Sequence, residues 1–492
     1  MHAKRAIVAC LVLIFMGGFL HGQTKPAPTA RPAARPAQTR QAPAKLTEEQ
    51  ILDRAWAVHQ QAIPIDTHVD IPDNWQQDPG TWTTRKCDLI KMRAGGLKGV
   101  FMAVYEGQPR GADHGLTPEG YKQVYAAAMA KFDAVHKLAE QMHPELCALA
   151  TTPAQVERIA KTGKRVVMIG VENGYPIGED LGNVKKFYDL GARYITLSHS
   201  GHNQICDSAS DSTPPLHNGL SEFGRKVVAE MNRVGVMIDV SHIARKSFWD
   251  VIKVSKAPII ASHSGCDAVA KSERNLDDEQ LKALSKNGGV IQIVALASYL
   301  KNDPPERTEA LRKLREEMGM PAGRGFGGGG RGQGGQPPAA AAGQPAQRGA
   351  QPGQAAAAGE AGRGRGGRGG QPLTPEQQAA RAEQQKLQAA YQERVRKEID
   401  PKWPPASVKD FVDHIDHAVK VAGIDHVGVG TDFDGGGGVP GFNDHSDAFN
   451  VTVELVRRGY SDLNIKKIWG GNLLRVWGEV QAVAAKSGKA TN

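Results

Sequence analysis

Long apolar runs and cysteines are both scarce in this sequence. The longest apolar run, Ala6–Leu20, has the length of a signal peptide core. Because the later apolar runs are shorter, we expect no membrane-spanning helix in the rest of the chain. Of the five cysteines in 492 residues, Cys10 falls within that run. The other four, Cys87, Cys147, Cys206 and Cys266, permit one or two disulfides and equally permit buried free thiols.

The N-terminal residues are typical of a secretory signal peptide. Lys4 and Arg5 precede the apolar run, which is shorter than the roughly 20 residues that a membrane span needs. We expect a signal peptide at residues 1–22 and a disordered Pro/Ala-rich linker at residues 23–45. The protein is therefore predicted to be exported, periplasmic or extracellular, and not to be an integral membrane protein once the signal is removed.

The chain also lacks a basic core, although its formal net charge is +9. Residues 1–45 carry +7 and residues 319–373 carry +5, which leaves −3 for the rest of the chain. The excess positive charge thus lies in the N-terminal segment and one internal segment, and it does not indicate a basic nucleic-acid-binding domain. We expect no nucleic-acid partner.

Eight short apolar runs alternate with helix-length segments. The runs cover Ile63–His68, Gly99–Tyr105, Val166–Val171, Tyr194–Ser198, Val236–Ser241, Pro258–Ser262, Val290–Ala295 and Val427–Thr431. Alternating strands and helices favour parallel pairing, and eight such units predict a (β/α)₈ barrel of the TIM type. An open doubly wound sheet is the alternative, but no Gly-x-Gly-x-x-Gly sequence opens a helix after the first run.

One connection between strands is much longer than the others, because the seventh run ends near Ala295 and the eighth begins near Val427. Residues 303–400 are predicted to be an insertion between strands 7 and 8, disordered at about 319–373, where Gly, Ala, Gln, Pro and Arg dominate. Helical patterns flank the low-complexity part. The barrel would comprise residues 46–302 and 401–482, followed by a tail at 483–492.

Side chains that can bind metal follow six of the eight predicted strands. They are His68 and Asp70 after the first, Glu172 after the third, His199 after the fourth, His242 after the fifth, His263 after the sixth and Asp432 after the eighth. The carboxyl ends of barrel strands meet at one face, where barrel enzymes carry their active sites. Each residue alone has an ordinary structural explanation, but their convergence on one face predicts a metal-dependent site.

The number and type of these side chains predict two metal ions rather than one. Imidazole and carboxylate ligands suit Zn²⁺ and its first-row neighbours. His68, Asp70, Glu172, His242 and His263 are too many for one catalytic ion with an open position, and they fit two ions that share a carboxylate. No lysine ends the third or fourth strand to form a carbamate bridge, so Glu172 is the expected bridge.

A series of short motifs runs in order through the predicted barrel. They are His68-x-Asp70, Gly170-Val171-Glu172, Thr196-Leu197-Ser198-His199, Asp239-Val240-Ser241-His242, Ser262-His263-Ser264, Arg274-Asn275-Leu276-Asp277-Asp278, Gly430-Thr431-Asp432-Phe433-Asp434-Gly435 and Gly470-Gly471-Asn472-Leu473-Leu474-Arg475-Val476. Together they resemble the membrane dipeptidase family (renal dipeptidase, peptidase family M19) over about residues 47–302 and 400–480. The resemblance implies a (β/α)₈ barrel with a binuclear zinc site that hydrolyses dipeptides, often tolerating a D-residue at the C-terminal position.

The resemblance also divides the candidate ligands between the two ions. His68 and Asp70 would bind one Zn²⁺, His242 and His263 would bind the other, and Glu172 would bridge them. Each chain would thus hold two Zn²⁺ ions. The expected partners are small dipeptide substrates, and a homodimer is left open.

Three further residues receive roles in catalysis and substrate binding from the resemblance. His199 would polarise the scissile carbonyl, Arg274 would hold the terminal carboxylate of the dipeptide, and Asp432 would orient a hydroxide activated by both metals and pass its proton to the leaving amine. A tyrosine of the family near the end of strand 7 has Tyr299 as its nearest counterpart. Other two-metal hydrolases on the same barrel, such as N-acyl amino acid deacylases, lactonases or phosphotriesterase-like enzymes, are the alternative function.

The remaining polar features are interpreted as supporting structure. Asp66 is expected to lie in the core or to orient a ligand histidine. The glycines Gly435–Gly438 are expected to form a loop at the mouth of the site, since the Gly-Lys-Ser/Thr of a phosphate loop is absent. Five other histidines are predicted to be structural or at the surface: His217, His414, His417, His426 and His445.

Overall fold

The strands of the predicted barrel form one parallel sheet. In the computed structural model, which describes residues 46–109, 111, 113–320 and 375–489, the strands are β1 (Ile65–Asp70), β2 (Gly99–Tyr105), β3 (Cys147–Leu149), β4 (Arg165–Glu172), β5 (Ala192–Thr196), β6 (Met237–Asp239), β7 (Ile260–Ser264), β8 (Val290–Ile293) and β9 (Val427–Val429). Their order is β1-β2-β4-β5-β6-β7-β8-β9, and β3 pairs with the first residues of β4. The short strand β3 was not predicted, because three residues cannot display a strand pattern.

The sheet curves until its first strand meets the segment after its last strand. The backbone N–H of Asp70 donates to Phe433 O at 3.0 Å, and the N–H of Asp432 donates to His68 O at 3.0 Å. The eight strands predicted from the sequence thus form a nearly closed (β/α)₈ barrel of the TIM type. This closure also places the residues after β9 directly beside the end of β1.

Helices alternate with the strands as the sequence predicts. They are α1 (Glu48–Gln61), α2 (Leu89–Ala94), α3 (Pro118–Lys137), α4 (Pro153–Lys161), α5 (Gly182–Asp189), α6 (Glu222–Val234), α7 (Arg245–Val254), α8 (Asp278–Lys286), α9 (Ala297–Leu300), α10 (Pro305–Glu317), α11 (Pro375–Arg394), α12 (Val408–Ala422), α13 (Ala448–Arg457), α14 (Asp462–Lys466) and α15 (Asn472–Lys489). Thr47 caps α1 by accepting a hydrogen bond from Gln50 N, and the Gln50 side chain reciprocates.

The last helix packs against the amino-terminal part of the strands. Trp477 and Val480 of α15 share a buried cluster with Ile65 of β1, Phe101 of β2 and Met168 of β4, all of which precede the strand ends. The rings of Phe101 and Trp477 lie 5.8 Å apart in an edge-on arrangement. Because apolar side chains fill this part of the barrel, the polar strand ends on the other side are left to form a site.

The two described helices of the predicted insertion carry a small core of their own. Leu314 of α10 is buried together with Tyr391 of α11, Val395 and Ile399. The helical patterns predicted at the flanks of the insertion are therefore confirmed. The low-complexity part at 321–374 lies outside the described residues, as do the signal peptide, the linker to residue 45 and residues 490–492 of the tail.

The structure distinguishes between disulfides and free thiols, both of which the sequence permitted. Cys87, Cys147, Cys206 and Cys266 are all free and buried. Burial raises the pKa of the Cys147 and Cys206 thiols to about 12, so both are protonated at neutral pH. Among the described helices, none is long and apolar enough to cross a membrane.

Candidate metal centre

The predicted metal ligands converge at the carboxyl ends of the strands. His68 and Asp70 lie at the end of β1, Glu172 ends β4, and His263 is the penultimate residue of β7. Donor atoms of His68, Glu172 and His263 lie within 4.8 Å of one another, and those of Glu172, His199 and His242 form a second such group. Glu172 belongs to both groups.

The carboxylate of Glu172 faces different histidines with its two oxygens. Its Oε1 lies 2.9 Å from His242 Nε2 and 3.3 Å from His263 Nε2. Its Oε2 lies 3.4 Å from His68 Nε2. The Nε2 atoms of His242 and His263 are themselves 2.7 Å apart, which leaves them pointing at a common position. A carboxylate placed between two sets of nitrogen ligands is the arrangement that a bridging ligand requires.

Two atoms at the end of β1 are buried without a hydrogen-bond partner. His68 Nε2 and Asp70 Oδ1 accept or donate no hydrogen bond among the described residues, and they lie 3.9 Å apart. A buried polar atom without a partner is costly, so such atoms mark strain or a place for an ion. Nitrogen and carboxylate oxygen together suit a first-row divalent ion. The side chains present therefore fit the metal that the sequence predicted.

A tyrosine fixes the orientation of the His68 ring. Tyr194 of β5 donates its hydroxyl hydrogen to Thr67 O at 3.1 Å, so its oxygen can accept from His68 Nδ1, which lies 2.9 Å away. The proton on Nδ1 leaves Nε2 with its lone pair directed at Glu172 and Asp70. Sequence reasoning missed Tyr194, because a tyrosine within an apolar strand looks like a core residue.

A carboxylate and a serine play the same role for His263. Nδ1 of His263 lies 2.8 Å from Ser262 Oγ, which donates its hydrogen to Asp239 Oδ2 at 2.6 Å. The ring nitrogen must therefore be the donor, and Nε2 is free to bind an ion. Asp239 also accepts hydrogen bonds from the backbone N–H groups of Ser241 and Ser262. Asp239 and Ser262 belong to two of the sequence motifs, but the sequence alone does not predict that they orient a ligand ring.

Asp66 supports the backbone of His68 rather than a histidine ring of the site. Its Oδ1 accepts from His68 N at 3.2 Å and from Thr431 N at 2.8 Å, and its Oδ2 accepts from His445 Nε2 at 2.8 Å. These bonds tie β1 to the segment after β9. Asp66 thus lies in the core, as one of the two expectations had it, and it contacts the ligand His68 through the backbone N–H rather than through the ring.

The charges around the strand ends favour a cation at the centre. Burial lowers the pKa of His68, but Glu172, Asp432 and Asp70 more than offset this and raise it to about 10. Burial also lowers the pKa of His263 to about 4 and holds that of His242 well below its usual value, with help from Arg274. The lowered pKa values keep His242 and His263 neutral, which is the form that binds metal, and a bound ion would replace the proton that the carboxylates favour on His68.

Three residues of the site have left-handed backbone conformations that residues other than glycine rarely adopt. The φ angles of Asn173, His242 and Asp432 are 73°, 68° and 59°. Each residue comes just after a strand, where the chain must turn away from the barrel. Left-handed conformations at such positions cost energy and are often kept because they place a functional side chain.

His199 and Asp432 lie close to the predicted ligands. His199 Nε2 is 3.7 Å from Glu172 Oε1, and its ring is 4.2 Å from that of His242. Burial lowers the pKa of His199, whereas burial raises the pKa of Asp432 well above its usual value despite the opposing charge of His68. The site therefore combines a neutral imidazole with a carboxyl group able to hold a proton.

The glycines after Asp432 are required by close packing. A Cβ on Gly435 would lie 2.2 Å from Asp432 Oδ1 and 2.7 Å from Asp70 Oδ2. The N–H groups of Gly436 and Gly437 donate to Asp432 O. This loop is thus packed directly against two carboxylates of the site.

Arg274 lies beside the histidines, with Tyr299 next to it. The guanidinium is buried, its Nη2 donates to His263 O at 3.4 Å, and its Nε has no hydrogen-bond partner in the described chain. The centre of the Tyr299 ring lies 5.4 Å from the guanidinium carbon. Tyr299, the counterpart suggested by the sequence, therefore occupies a position next to the predicted carboxylate-binding arginine.

A cavity of about 990 Å³ opens beside the centre. Asp70, Tyr105 and His199 contribute to its wall, together with loops that follow β1, β2 and β5. His202 lies in the loop after β5 but is buried, accepting from Ser208 N at 2.9 Å. It holds the loop rather than facing the cavity.

Comparison with known proteins identifies the family. A sequence model of the membrane dipeptidase family, peptidase family M19, matches residues 52–491. Dipeptidase verJ of Clonostachys rogersoniana is 28% identical over 401 residues, which is 81% of this chain and 77% of that protein.

Solved structures agree with this match. The probable dipeptidase PvdM from Pseudomonas aeruginosa is 29% identical with a TM-score of 0.67, covering 89% of this chain and 100% of that one. A metallopeptidase from Rhodobacter sphaeroides, solved with a phosphinate mimic of the dipeptide L-Ala-D-Ala, has 22% identity and a TM-score of 0.58, covering 85% and 99%; this likeness shows the fold alone. Since the sequence model spans most of the chain, the protein belongs to the membrane dipeptidase family, peptidase family M19, a family of metallopeptidases.

Proposed function

We propose that the protein is a two-zinc dipeptidase that hydrolyses the single peptide bond of small dipeptides. The observation that carries the proposal is the position of Glu172, whose Oε1 faces His242 and His263 while its Oε2 faces His68. A carboxylate whose two oxygens face different histidines is positioned to contact two ions at once. The dipeptidase names of the relatives support the substrate class.

The ligand assignment follows the two sides of Glu172. His68 and Asp70 would hold one Zn²⁺, His242 and His263 would hold the other, and Glu172 would contact both. When bound, the two ions would lower the pKa of a shared water and polarise the attacked carbonyl. Tyr194 and Asp239 would keep the rings of His68 and His263 in the required tautomers.

The remaining polar side chains would bind the dipeptide and move its protons. Arg274 would hold the terminal carboxylate, because its buried guanidinium has an Nε–H without a partner. His199 would donate a hydrogen bond to the carbonyl oxygen as negative charge develops on it. Asp432 would accept a proton from the nucleophilic water and return it to the leaving amine, a role that its raised pKa favours.

We further propose that a D-residue is accepted at the C-terminal position. The proposal is supported by the family and by the L-Ala-D-Ala mimic held by the Rhodobacter sphaeroides metallopeptidase. Arg274 would fix the carboxylate, so the chirality of the last residue would change only the direction of its side chain.

The alternative is another hydrolase on the same two-metal framework. N-acyl amino acids also carry a free carboxylate for Arg274, whereas lactones and phosphotriesters do not. The buried Arg274 therefore favours dipeptides or N-acyl amino acids over the other two classes.

A substrate panel with metal analysis tests these functions. The purified protein is assayed with L-L and L-D dipeptides, N-acyl amino acids, a lactone and a phosphotriester, and its metal content is measured. Turnover of dipeptides with close to two zinc ions per chain supports the proposal. Turnover confined to lactones or phosphotriesters would overturn it, and turnover confined to N-acyl amino acids would favour the deacylase.

Export is a separate proposal, supported by Lys4, Arg5 and the apolar run Ala6–Leu20. Fractionation of cells that express the full chain tests it. Recovery of a shortened protein outside the cytoplasm is expected, and a full-length protein confined to the cytoplasm would contradict it.

A further inference from the structure

A buried carboxylate in the cavity wall has no part in the proposed metal centre. Glu106 follows the last residue of β2 and lines the cavity together with His199 and Asp70. Only 4% of its side chain is exposed, yet its Oε1 accepts no hydrogen bond from any described residue. A carboxylate oxygen in this situation lacks the donor that burial demands.

The cation nearest to Glu106 is already shared. Lys131 Nζ lies 3.6 Å from Glu106 Oε1, beyond hydrogen-bond distance, and 3.7 Å from Asp73 Oδ1. The same ammonium donates to Tyr105 O at 2.7 Å. Another cation of the wall, Arg85, is directed at Asp434 and at the Asp70 carbonyl. Two carboxylates thus face one ammonium, which leaves this part of the cavity one positive charge short.

The protonation of Glu106 agrees with this shortage. Burial raises its pKa to about 7, Lys131 opposes the rise, and the charges of Asp73 and Asp70 add to it. An arriving cation would favour the ionised carboxylate and gain a charge-assisted hydrogen bond in a partly desolvated place.

A dipeptide with a basic N-terminal residue carries two cations, which differ in how far they reach from the metal ligands. Asp73 follows Asp70 by three residues, a backbone span of at most about 10 Å. The α-ammonium is attached to the carbon next to the attacked carbonyl, so it stays near the metal ligands. A cation at the end of a long N-terminal side chain extends away from them. Arg274, which would bind the opposite end of the dipeptide, is not part of this cavity wall.

We propose that Glu106, with Asp73, forms a subsite for a cationic side chain on the N-terminal residue of the substrate, such as that of lysine, ornithine or arginine. This inference rests on the proposed dipeptidase function and adds a substrate preference to it. Lys131 holds the two carboxylates at the subsite without neutralising both.

Matched dipeptides test the subsite. L-lysyl-glycine and L-norleucyl-glycine have side chains of similar length and differ by the terminal charge. Their kcat/KM values are measured for the wild-type protein, for Glu106→Gln and Asp73→Asn, and for the control Glu119→Gln, an exposed residue of α3. Thermal unfolding and metal content are recorded for each variant.

The ratio of kcat/KM for lysyl-glycine over norleucyl-glycine is the decisive quantity. We expect the wild-type protein to prefer lysyl-glycine by about tenfold or more. Glu106→Gln should remove most of this preference and Asp73→Asn should reduce it. The control Glu119→Gln should retain it. A wild-type ratio near one, or a ratio unchanged in Glu106→Gln, would overturn the subsite while leaving the dipeptidase function intact. Equal losses on both dipeptides would mean that Glu106 acts structurally. No turnover of any dipeptide would instead refute the proposed function.

Discussion

The hydroxyl of Tyr194 lies 2.9 Å from Nδ1 of His68 and so decides which nitrogen of that ring faces the metal centre. Tyr194→Phe removes this acceptor while keeping the ring in the core. We expect the affinity for the ion at His68 to fall by about 10- to 100-fold, the range found when groups that orient ligands are removed. Titration of the metal-free protein with Zn²⁺ measures the change. Tyr188→Phe, on the outer helix α5, is the control, and equal affinities in the two variants would contradict the role of Tyr194.

Gly435→Ala should damage the site without a large loss of stability. The added Cβ would meet both Asp432 Oδ1 and Asp70 Oδ2, so at least one carboxylate must move. We expect kcat to fall by about 10-fold or more, since displacement of positioned groups by a fraction of an ångström has effects of this size. Gly478→Ala in α15 is the control, because a Cβ there has no atom within 4 Å outside its own helix. It should stabilise the protein by about 0.5–1 kcal/mol and leave kcat unchanged.

The ligands of this site could be predicted from the sequence, but the residue that orients one of them could not. His68, Asp70 and Glu172 were predictable because polar side chains that end apolar strands have few structural reasons to be there. Tyr194 was not, because only the curvature of the barrel brings its hydroxyl from β5 to a ring on β1. The fold was predictable from eight alternating strand and helix units. The packing of the two described helices of the insertion was not, because it depends on contacts between residues far apart in the chain, such as Leu314 and Tyr391.

Asp432→Asn should separate metal binding from catalysis. Asn keeps the size of the side chain but cannot take up a proton, so we expect kcat to fall by at least about 10²-fold while the zinc content stays the same. Zinc analysis and steady-state kinetics on one dipeptide measure both. Asp462→Asn, at the surface of α14, is the control. A variant that retains most of its kcat would exclude Asp432 as the group that moves the proton.

The buried pair of His445 and Asp66 should make the free energy of unfolding fall as the pH rises above neutral. Burial lowers the pKa of His445, but Cys87 and Asp66 more than offset this and raise it to about 10 from its ordinary 6.5. The folded state thus holds this proton more tightly than the unfolded state does. Its contribution to the free energy of unfolding is complete below pH 6.5 and is lost as the pH rises towards 10.

Urea unfolding of the metal-free protein at several pH values between 6 and 10 tests this dependence. Other groups titrate over the same range, so the comparison is with His445→Gln. We expect the wild-type free energy of unfolding to decline more steeply with pH than that of the variant. Parallel curves would show that His445 carries no extra proton in the folded state.

Removal of the β1 ligands should empty one metal position and spare the other. His68 faces Glu172 Oε2, whereas His242 and His263 face Oε1, so each side retains its own nitrogen ligands when the other is lost. We expect the double variant His68→Ala/Asp70→Ala to retain about one zinc ion and to have no measurable dipeptidase activity, since one ion cannot both activate water and polarise the carbonyl. Glu172→Gln should weaken binding at both positions, because the bridge belongs to both. Metal analysis after gel filtration measures the content of each variant. If the double variant loses both ions, or keeps both, the division of ligands across Glu172 is wrong.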